Sequence, residues 1–298
     1  MIVAIVGLGL IGCSLAKDIR RVFPNSKFIG TDTNKKHCQM AEELKIVDRT
    51  MPLDKAVLKA ELVIVSTPVD VTIKILPQIL DIVPSATTVM DVGSTKSKIC
   101  KLVDTHKNRK SFVATHPMSG TENSGPSAAV DHLFEGKIAI ICNHEASAPQ
   151  HIAMVEKLYS AIACKIAYMS ADEQDHTTAY VSHLPHALAY ILANTVLRNE
   201  DRKVIVDLAS GGFRSATRLA KTTASMWVPI FEQNREYISA ALDKYIKLLD
   251  EFKTVLDNKD YEKMSNIIKS ASSIREVLDG DASDMIMNEE KIIKLYNE

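Results

Sequence analysis

Three sets of residues have the types and spacing to do chemistry. In the first, GLGLIG places Gly7, Gly9 and Gly12 in G-x-G-x-x-G spacing after the apolar run Ile2–Val6. Such glycines turn the chain out of a strand, admit a diphosphate to the main chain and let the next helix pack close to the sheet. The N–H groups at Leu10, Ile11 and Gly12 would then open a helix whose partial positive charge suits phosphate. Asp32 stands 20 positions after Gly12, at the end of a second strand-like run. An acid there accepts hydrogen bonds from ribose hydroxyls and repels a 2′-phosphate, which favours NAD over NADP. A plain structural turn, or a nucleotide or S-adenosylmethionine fold with similar glycines, is outweighed by strand, helix and acid occurring in order.

The second set lies in loops after later strands. DVGSTK contains Ser94 and Lys96, and THPMSGTENSG contains His116, Thr121 and Glu122. Thr67 and Pro68 end another apolar run at the same kind of place. An imidazole titrates near neutrality and can take a proton from an alcohol as a hydride leaves, with Ser94 orienting it or the hydroxyl. For an isolated histidine, loop capping would be the better reading; beside a dinucleotide site, a functional one is favoured. The third set is helical. SHLPHALA holds Ser182, His183 and His186; the two histidines share a face, but no third ligand of suitable spacing suggests a metal. GGFRSATRLA holds Arg214 and Arg218, whose rigid forks suit a carboxylate if they are not merely solvated. His37, His106, His132, His144 and His151 sit in polar surroundings and are expected to be solvated, and Trp227 is expected to pack.

Stepping outward, apolar runs at Ile2–Val6, Lys27–Asp32, Leu62–Thr67, Thr87–Val92, Ser111–His116, Ile138–Cys142 and Lys165–Met169 alternate with segments of helical period such as Leu10–Val22 and Asn34–Leu44. Alternation of this kind implies a doubly wound, mostly parallel α/β sheet of Rossmann type. From about Ser170 helices dominate: Ala171–Asn199, which Pro185 should kink or divide, then Arg214–Ala220, Met226–Leu256 and Tyr261–Leu278. The expected domains are residues 1–168 and an all-α 169–298, with a polar break at Asp279–Asp284.

Composition restricts the partners. At 298 residues with 46% hydrophobic and 24% charged, the chain can bury a core and is not disordered. Lys+Arg total 36 against 37 Asp+Glu, a balance that argues against a nucleic-acid partner. No apolar stretch is long enough to span a bilayer, and the basic residues follow the first apolar run, unlike a signal peptide. Five scattered cysteines read as free thiols, so a cytoplasmic protein is expected.

Taken in order, VGLGLIGCSLA, DVGSTK, HPMSGTENSG, an Asp followed by SHLPH, and GGFRSATRLA…MW resemble the prephenate/arogenate dehydrogenase family across residues 3–227. The resemblance implies NAD-dependent oxidative decarboxylation of prephenate to 4-hydroxyphenylpyruvate in tyrosine synthesis, by a homodimer that associates through the helical domain. It implies that His116 bonds the ring hydroxyl of the substrate and that Ser94 acts beside it near the nicotinamide. It further implies that His186 and Arg218 anchor the substrate, Arg218 through a carboxylate, and that Ser182, Thr121, Glu122 and Trp227 line or gate the pocket. Arogenate as substrate, or a Rossmann dehydrogenase of 3-hydroxy acids, are the alternatives. Three positions depart from the family pattern: Cys13 replaces a second glycine after Gly12, Gln174 stands where a histidine often precedes Asp175, and Ser215 stands where an aspartate is common. The last removes a carboxylate that would gate Arg218.

Overall fold

A computed structural model describes residues 1–278 of the chain. The chain divides into two compact units, Met1–Arg235 and Glu236–Glu298. The first unit runs β1 (Ile2–Val6), α1 (Leu10–Val22), β2 (Lys27–Thr31), α2 (Lys35–Glu43), β3 (Arg49–Thr50), α3 (Leu53–Leu58), β4 (Leu62–Val65), α4 (Val69–Ile82), β5 (Thr88–Asp91), α5 (Ser97–Val103), β6 (Phe112–Pro117), β7 (Ile138–Cys142), α6 (Pro149–Ala161) and β8 (Lys165–Met169). These strands make one sheet in the order β3-β2-β1-β4-β5-β6-β7-β8.

Alternate residues of the same strand feed opposite layers. Val3, Ile5, Leu62 and Ile64 join one buried cluster, whereas Ala4, Val6, Val63 and Val65 join the other. A strand covered on both faces has to be apolar at every position, which is why β1 and β4 read as unbroken apolar runs. Each such Val, Leu or Ile side chain contributes on the order of 1.5–3 kcal/mol by leaving water. The β6–β7 pair is antiparallel. Parallel neighbours need a crossover of a dozen or more residues, usually a helix. Between β6 and β7 the chain forms only a short 3-10 turn at Pro126–Ala128, and the next strand returns in the opposite direction.

Beyond β8 come α7 (Ala171–Thr178), a π-helical turn at Ala179–His183, α8 (Leu184–Asn199), α9 (Arg202–Leu208), α10 (Gly211–Ala216), a 3-10 turn at Arg218–Lys221, and α11 (Ala224–Gln233). Ser170 and Glu173 cap α7 reciprocally. The division expected at Pro185 takes the form of the wide π-helical turn just before it, with Pro185 as the second residue of α8. The compact unit reaches Arg235, past the change of pattern near residue 168, because these helices pack on the sheet-bearing part: Trp227 and Ile230 of α11 bury against Val69 of α4.

The described part of the second unit is helical. It contains most of α12 (Arg235–Asp257), then α13 (Tyr261–Ser272) and α14 (Ile274–Leu278). Lys263 pairs with Glu251 at 3.0 Å, while Leu248, Leu249, Ile268 and Leu278 remain exposed. The polar break at Asp279–Asp284 lies outside the described residues. No helix among the described residues is long and apolar enough to cross a membrane. One expectation needs correction: His151 is buried, not solvated, and its Nδ1 lies 2.8 Å from Thr88 Oγ1 because the first turn of α6 sits on the sheet.

Candidate active site

Strands β1, β2, β4, β5 and β6 run parallel, so their carboxyl ends share one edge of the sheet. Strand order reverses at β1, which lies between β2 and β4, and such a switch point leaves a crevice for a ligand. The glycine loop opens there. Gly7 has φ +94°, and a Cβ on it would sit 2.7 Å from the Ser66 carbonyl oxygen. A Cβ on Gly12 would fall 2.2 Å from Ser66 Oγ and 2.5 Å from the Gly7 carbonyl oxygen, so only glycine lets α1 pack this closely. A Cβ on Gly9 would meet nothing within 4 Å; that side faces open space. No side chain caps α1 at Gly9, leaving the N–H groups of Leu10, Ile11 and Gly12 available to an anion. Asp32, following β2, accepts from Leu8 N at 2.8 Å and Asn34 N at 2.7 Å, which braces the loop and fixes the carboxylate at its rim. His37 Nδ1 lies 3.5 Å from the same carboxylate. These features fit a dinucleotide: an uncrowded diphosphate cradle and a fixed acid for a ribose. Cys13 is fully buried in the core and burial pushes its thiol up to about 12, so this departure is a packing residue.

His116 is the fifth residue of β6, and Ser94 lies in the loop after β5. One amide joins them: Gln174 Nε2 on α7 donates to the Ser94 carbonyl at 3.1 Å and lies 3.3 Å from His116 Nδ1. Beneath them is a buried ion pair between Lys96 and Asp91, whose carboxylate also accepts from Gly93 N and Thr115 N. Such extra bonds offset part of the cost of burying two charges. Burial, the Lys96 charge and His183 push His116 down to about 3, so the ring is neutral at physiological pH. Asp175, next to Gln174, accepts from Lys96 N at 2.7 Å and Ser97 N at 2.8 Å and so locks the start of α5 onto α7.

The helical side contributes an aromatic wall and a cation. His186 stacks on Trp227 with ring centroids 3.5 Å apart, and its Nδ1 donates to the Ser182 carbonyl at 2.9 Å. Burial, with a smaller push from Arg218, lowers its pKa. Nε2 of the neutral ring therefore accepts a hydrogen bond, and donates only once an arriving anion favours the protonated form. His183 is buried, bonds Asn234 Nδ2 at 3.0 Å through Nδ1, and is pushed down to about 4 by burial and His186. Arg218 is half-exposed and pairs with Glu122 at 3.7 Å. Glu122 supplies the carboxylate partner that Ser215, itself exposed, does not. Thr121 Oγ1 accepts from Asn123 N at 3.2 Å within the same loop. Arg214 is bonded to the Ala209 carbonyl and is exposed, and Trp227 packs as expected.

The sheet edge thus gathers Gly7–Gly12, Asp32, Thr67, Ser94 and His116, while Arg218 and Glu122 meet across a loop, and Ser182, His186 and Trp227 form a separate contact group. Thr67 Oγ1 bonds Thr72 Oγ1 at 2.8 Å, and Pro68 precedes the first residue of α4, so this pair also shapes a helix start. Sequence reasoning missed the parts that hold the site from beneath or behind: the Lys96–Asp91 pair, Asn234, and the role of Gln174. Asp91 and Lys96 both lie in the DVGSTK stretch, and Gln174 and Asn234 in segments of helical period, but nothing in the sequence pairs them with their partners.

The family model of the prephenate dehydrogenase nucleotide-binding domain matches residues 15–168, and that of its dimerization domain matches residues 170–270. The first match begins after the glycine loop, whose interpretation rests on its own geometry. A prephenate dehydrogenase of Bacillus subtilis (strain 168) is 31% identical over 280 residues, covering 93% of this chain and 76% of the relative. One of Lactococcus lactis subsp. cremoris (strain MG1363) is 29% identical over 285 residues, covering 93% and 77%. The structure of prephenate dehydrogenase from A. aeolicus with hydroxyphenyl propionate and NAD+ superposes with a TM-score of 0.84 at 29% identity, covering 93% of this chain and 98% of that one. Two matched domains, a shared fold and this level of identity agree: the chain belongs to the prephenate dehydrogenase family.

Proposed function

We propose that the protein oxidises and decarboxylates prephenate to 4-hydroxyphenylpyruvate with NAD, with His116 as the proton acceptor. The observation that carries this reading is the position of His116, neutral, on the same sheet edge as an uncrowded glycine cradle. Gly7, Gly9 and the N–H groups of Leu10, Ile11 and Gly12 hold the diphosphate, and Asp32 holds the adenosine ribose. Bound NAD supplies the acceptor for the hydride from C4 of the substrate. His116 takes the C4 hydroxyl proton and returns it to the phenolate oxygen formed when loss of CO2 makes the ring aromatic. A ring held down to about 3 is a weak base, so this proton moves late, once departure of the hydride has made the hydroxyl acidic. Ser94 positions the histidine side of the crevice. Arg218 and His186 hold the carboxylates of the substrate, while Ser182, Thr121 and Glu122 border it.

Aromatisation of the ring supplies the driving force; the protein supplies orientation and charge. We place the functional division of the chain at 168/169 and propose a homodimer formed through the helices of residues 169–298. Exposed Ile191, Leu197, Leu248 and Leu249 support that interface. The five free cysteines suit the cytoplasm. Steady-state formation of NADH tests the reading. Prephenate with NAD should far exceed arogenate, simple 3-hydroxy acids, and NADP as cofactor; turnover of a 3-hydroxy acid without turnover of prephenate would overturn it.

A further inference from the structure

The side chain of Gln174 is fully buried, yet its two ends are treated unequally. Its nitrogen lies within 3.3 Å of three groups: the Ser94 carbonyl oxygen at 3.1 Å, Thr178 Oγ1 at 3.2 Å, and His116 Nδ1 at 3.3 Å. Its Oε1 is buried with no hydrogen-bond partner. The Ser94 carbonyl can only accept, so in the orientation seen it favours the NH2 end of the amide on its side. With that end in place, the ring nitrogen facing it must be the one without hydrogen. We propose that Gln174 is a positioning residue that selects which ring nitrogen of His116 carries the hydrogen. In the orientation seen, Nδ1 accepts and the hydrogen resides on Nε2. When the amide turns over, Oε1 accepts from Nδ1–H and Nε2 becomes free to take a proton from the substrate. The exchange moves no net charge: Nε2 releases one proton to solvent and Nδ1 takes one from solvent.

A carboxamide suits this task because it offers a donor and an acceptor at one place and carries no charge. A glutamate here would only accept, would fix hydrogen on Nδ1 and would attract the imidazolium. A histidine at this position would carry a single mobile hydrogen and would tie its own tautomer to that of His116. The other charged or titratable groups around His116 are the Lys96–Asp91 pair on the sheet side, Asp175 on α7 and His183 at the π-helical turn. None of these has a described hydrogen bond to Nδ1 in competition with Gln174.

The catalytic consequence rests on His116 being the proton acceptor, whereas the tautomer itself does not. Nitrogen-15 NMR of the histidine rings of the full-length protein, with His116→Asn assigning the signal, reads the tautomer directly. Hydrogen on Nε2 at neutral pH is expected; hydrogen on Nδ1 in the wild-type protein would overturn the proposal. In Gln174→Glu the hydrogen should move to Nδ1, and the acid limb of kcat/KM should rise by about one pH unit or more. In Gln174→Met kcat should fall by roughly tenfold, with KM for prephenate within about twofold. If both pH profiles superimpose on that of the wild type, Gln174 does not act through His116. Should either variant fail to fold, the wild-type NMR result still decides. Wild-type turnover by His116→Asn would remove the base reading by itself, and with it the catalytic role of Gln174.

Discussion

On the proposed reading, the carboxyl edge of the sheet and the helices between residues 171 and 233 would meet the ligand by different means. At the edge, the groups proposed to bind are main-chain atoms and short side chains fixed by strand register: Gly7, Gly9, the first N–H groups of α1, Asp32 and His116. On the helices they are long or half-buried side chains, such as Arg218 and His186, held by one or two contacts each. The glycines of such an edge cannot be changed without disturbing the fold. A helical face can be altered one side chain at a time, at the expense of affinity alone. The cofactor half of the site is therefore built into the architecture, and the substrate half is laid over it.

The contrast can be broken most forcefully at His116, where the edge is proposed to do chemistry as well as binding. His116→Asn should lower kcat by roughly 10²–10⁴ with little change in KM for prephenate; steady-state NADH formation measures both. On the helical side, Arg218→Ala should raise KM for prephenate by roughly 10–100-fold, the equivalent of losing a charge-assisted bond, while binding of NAD is unaffected. A purely local effect of Gly12→Ala would contradict the claim that the edge is inseparable from the fold. Its Cβ would sit 2.2 Å from Ser66 Oγ, so thermal unfolding should show a loss of about 1–3 kcal/mol, together with weaker NAD binding. Asp32→Asn should keep the fold and narrow the preference for NAD over NADP by roughly tenfold, as a like-charge repulsion of about 1.4 kcal/mol disappears; KM values for the two cofactors read it. The smallest effect is one of pH. Because His116 is held down to about 3, it stays unprotonated on acidification well past the ordinary histidine range. The kcat/KM of the wild type should change less than about twofold on this account between about pH 8 and pH 5.

The same contrast explains what could be read from the sequence. The central strands were legible because burial on both faces demands unbroken apolar runs, as in Ile2–Val6; Ile138–Cys142 and the only partly buried outer strand Lys165–Met169 also form with the bounds the sequence suggests. The glycines were legible because Gly7 and Gly12 occupy positions that no other residue can fill. The reversed direction of β7 was not, since pattern records burial and not strand direction. Helix breaks were legible where proline announces them, as before Pro185, and hidden where a polar contact makes them. Asn234 interrupts what reads as one helix from Met226, because its amide bonds the Asp175 carbonyl and His183. Gln174 escaped notice as a partner of His116 because they are 58 residues apart, and nothing in a glutamine identifies its partner. Glu122 was noted only as a pocket residue; its pairing with Arg218 depends on a loop path that the sequence does not disclose.

The central claim is that the His116 ring meets the hydroxyl of the substrate beside the cofactor. A crystal structure of this protein with NAD and a 4-hydroxyphenyl product tests it most directly. The account predicts His116 Nε2 within about 2.6–3.2 Å of the phenolic oxygen, with the cofactor diphosphate over Gly9. A phenolic oxygen bonded to another side chain, with His116 turned away from it, would contradict the account.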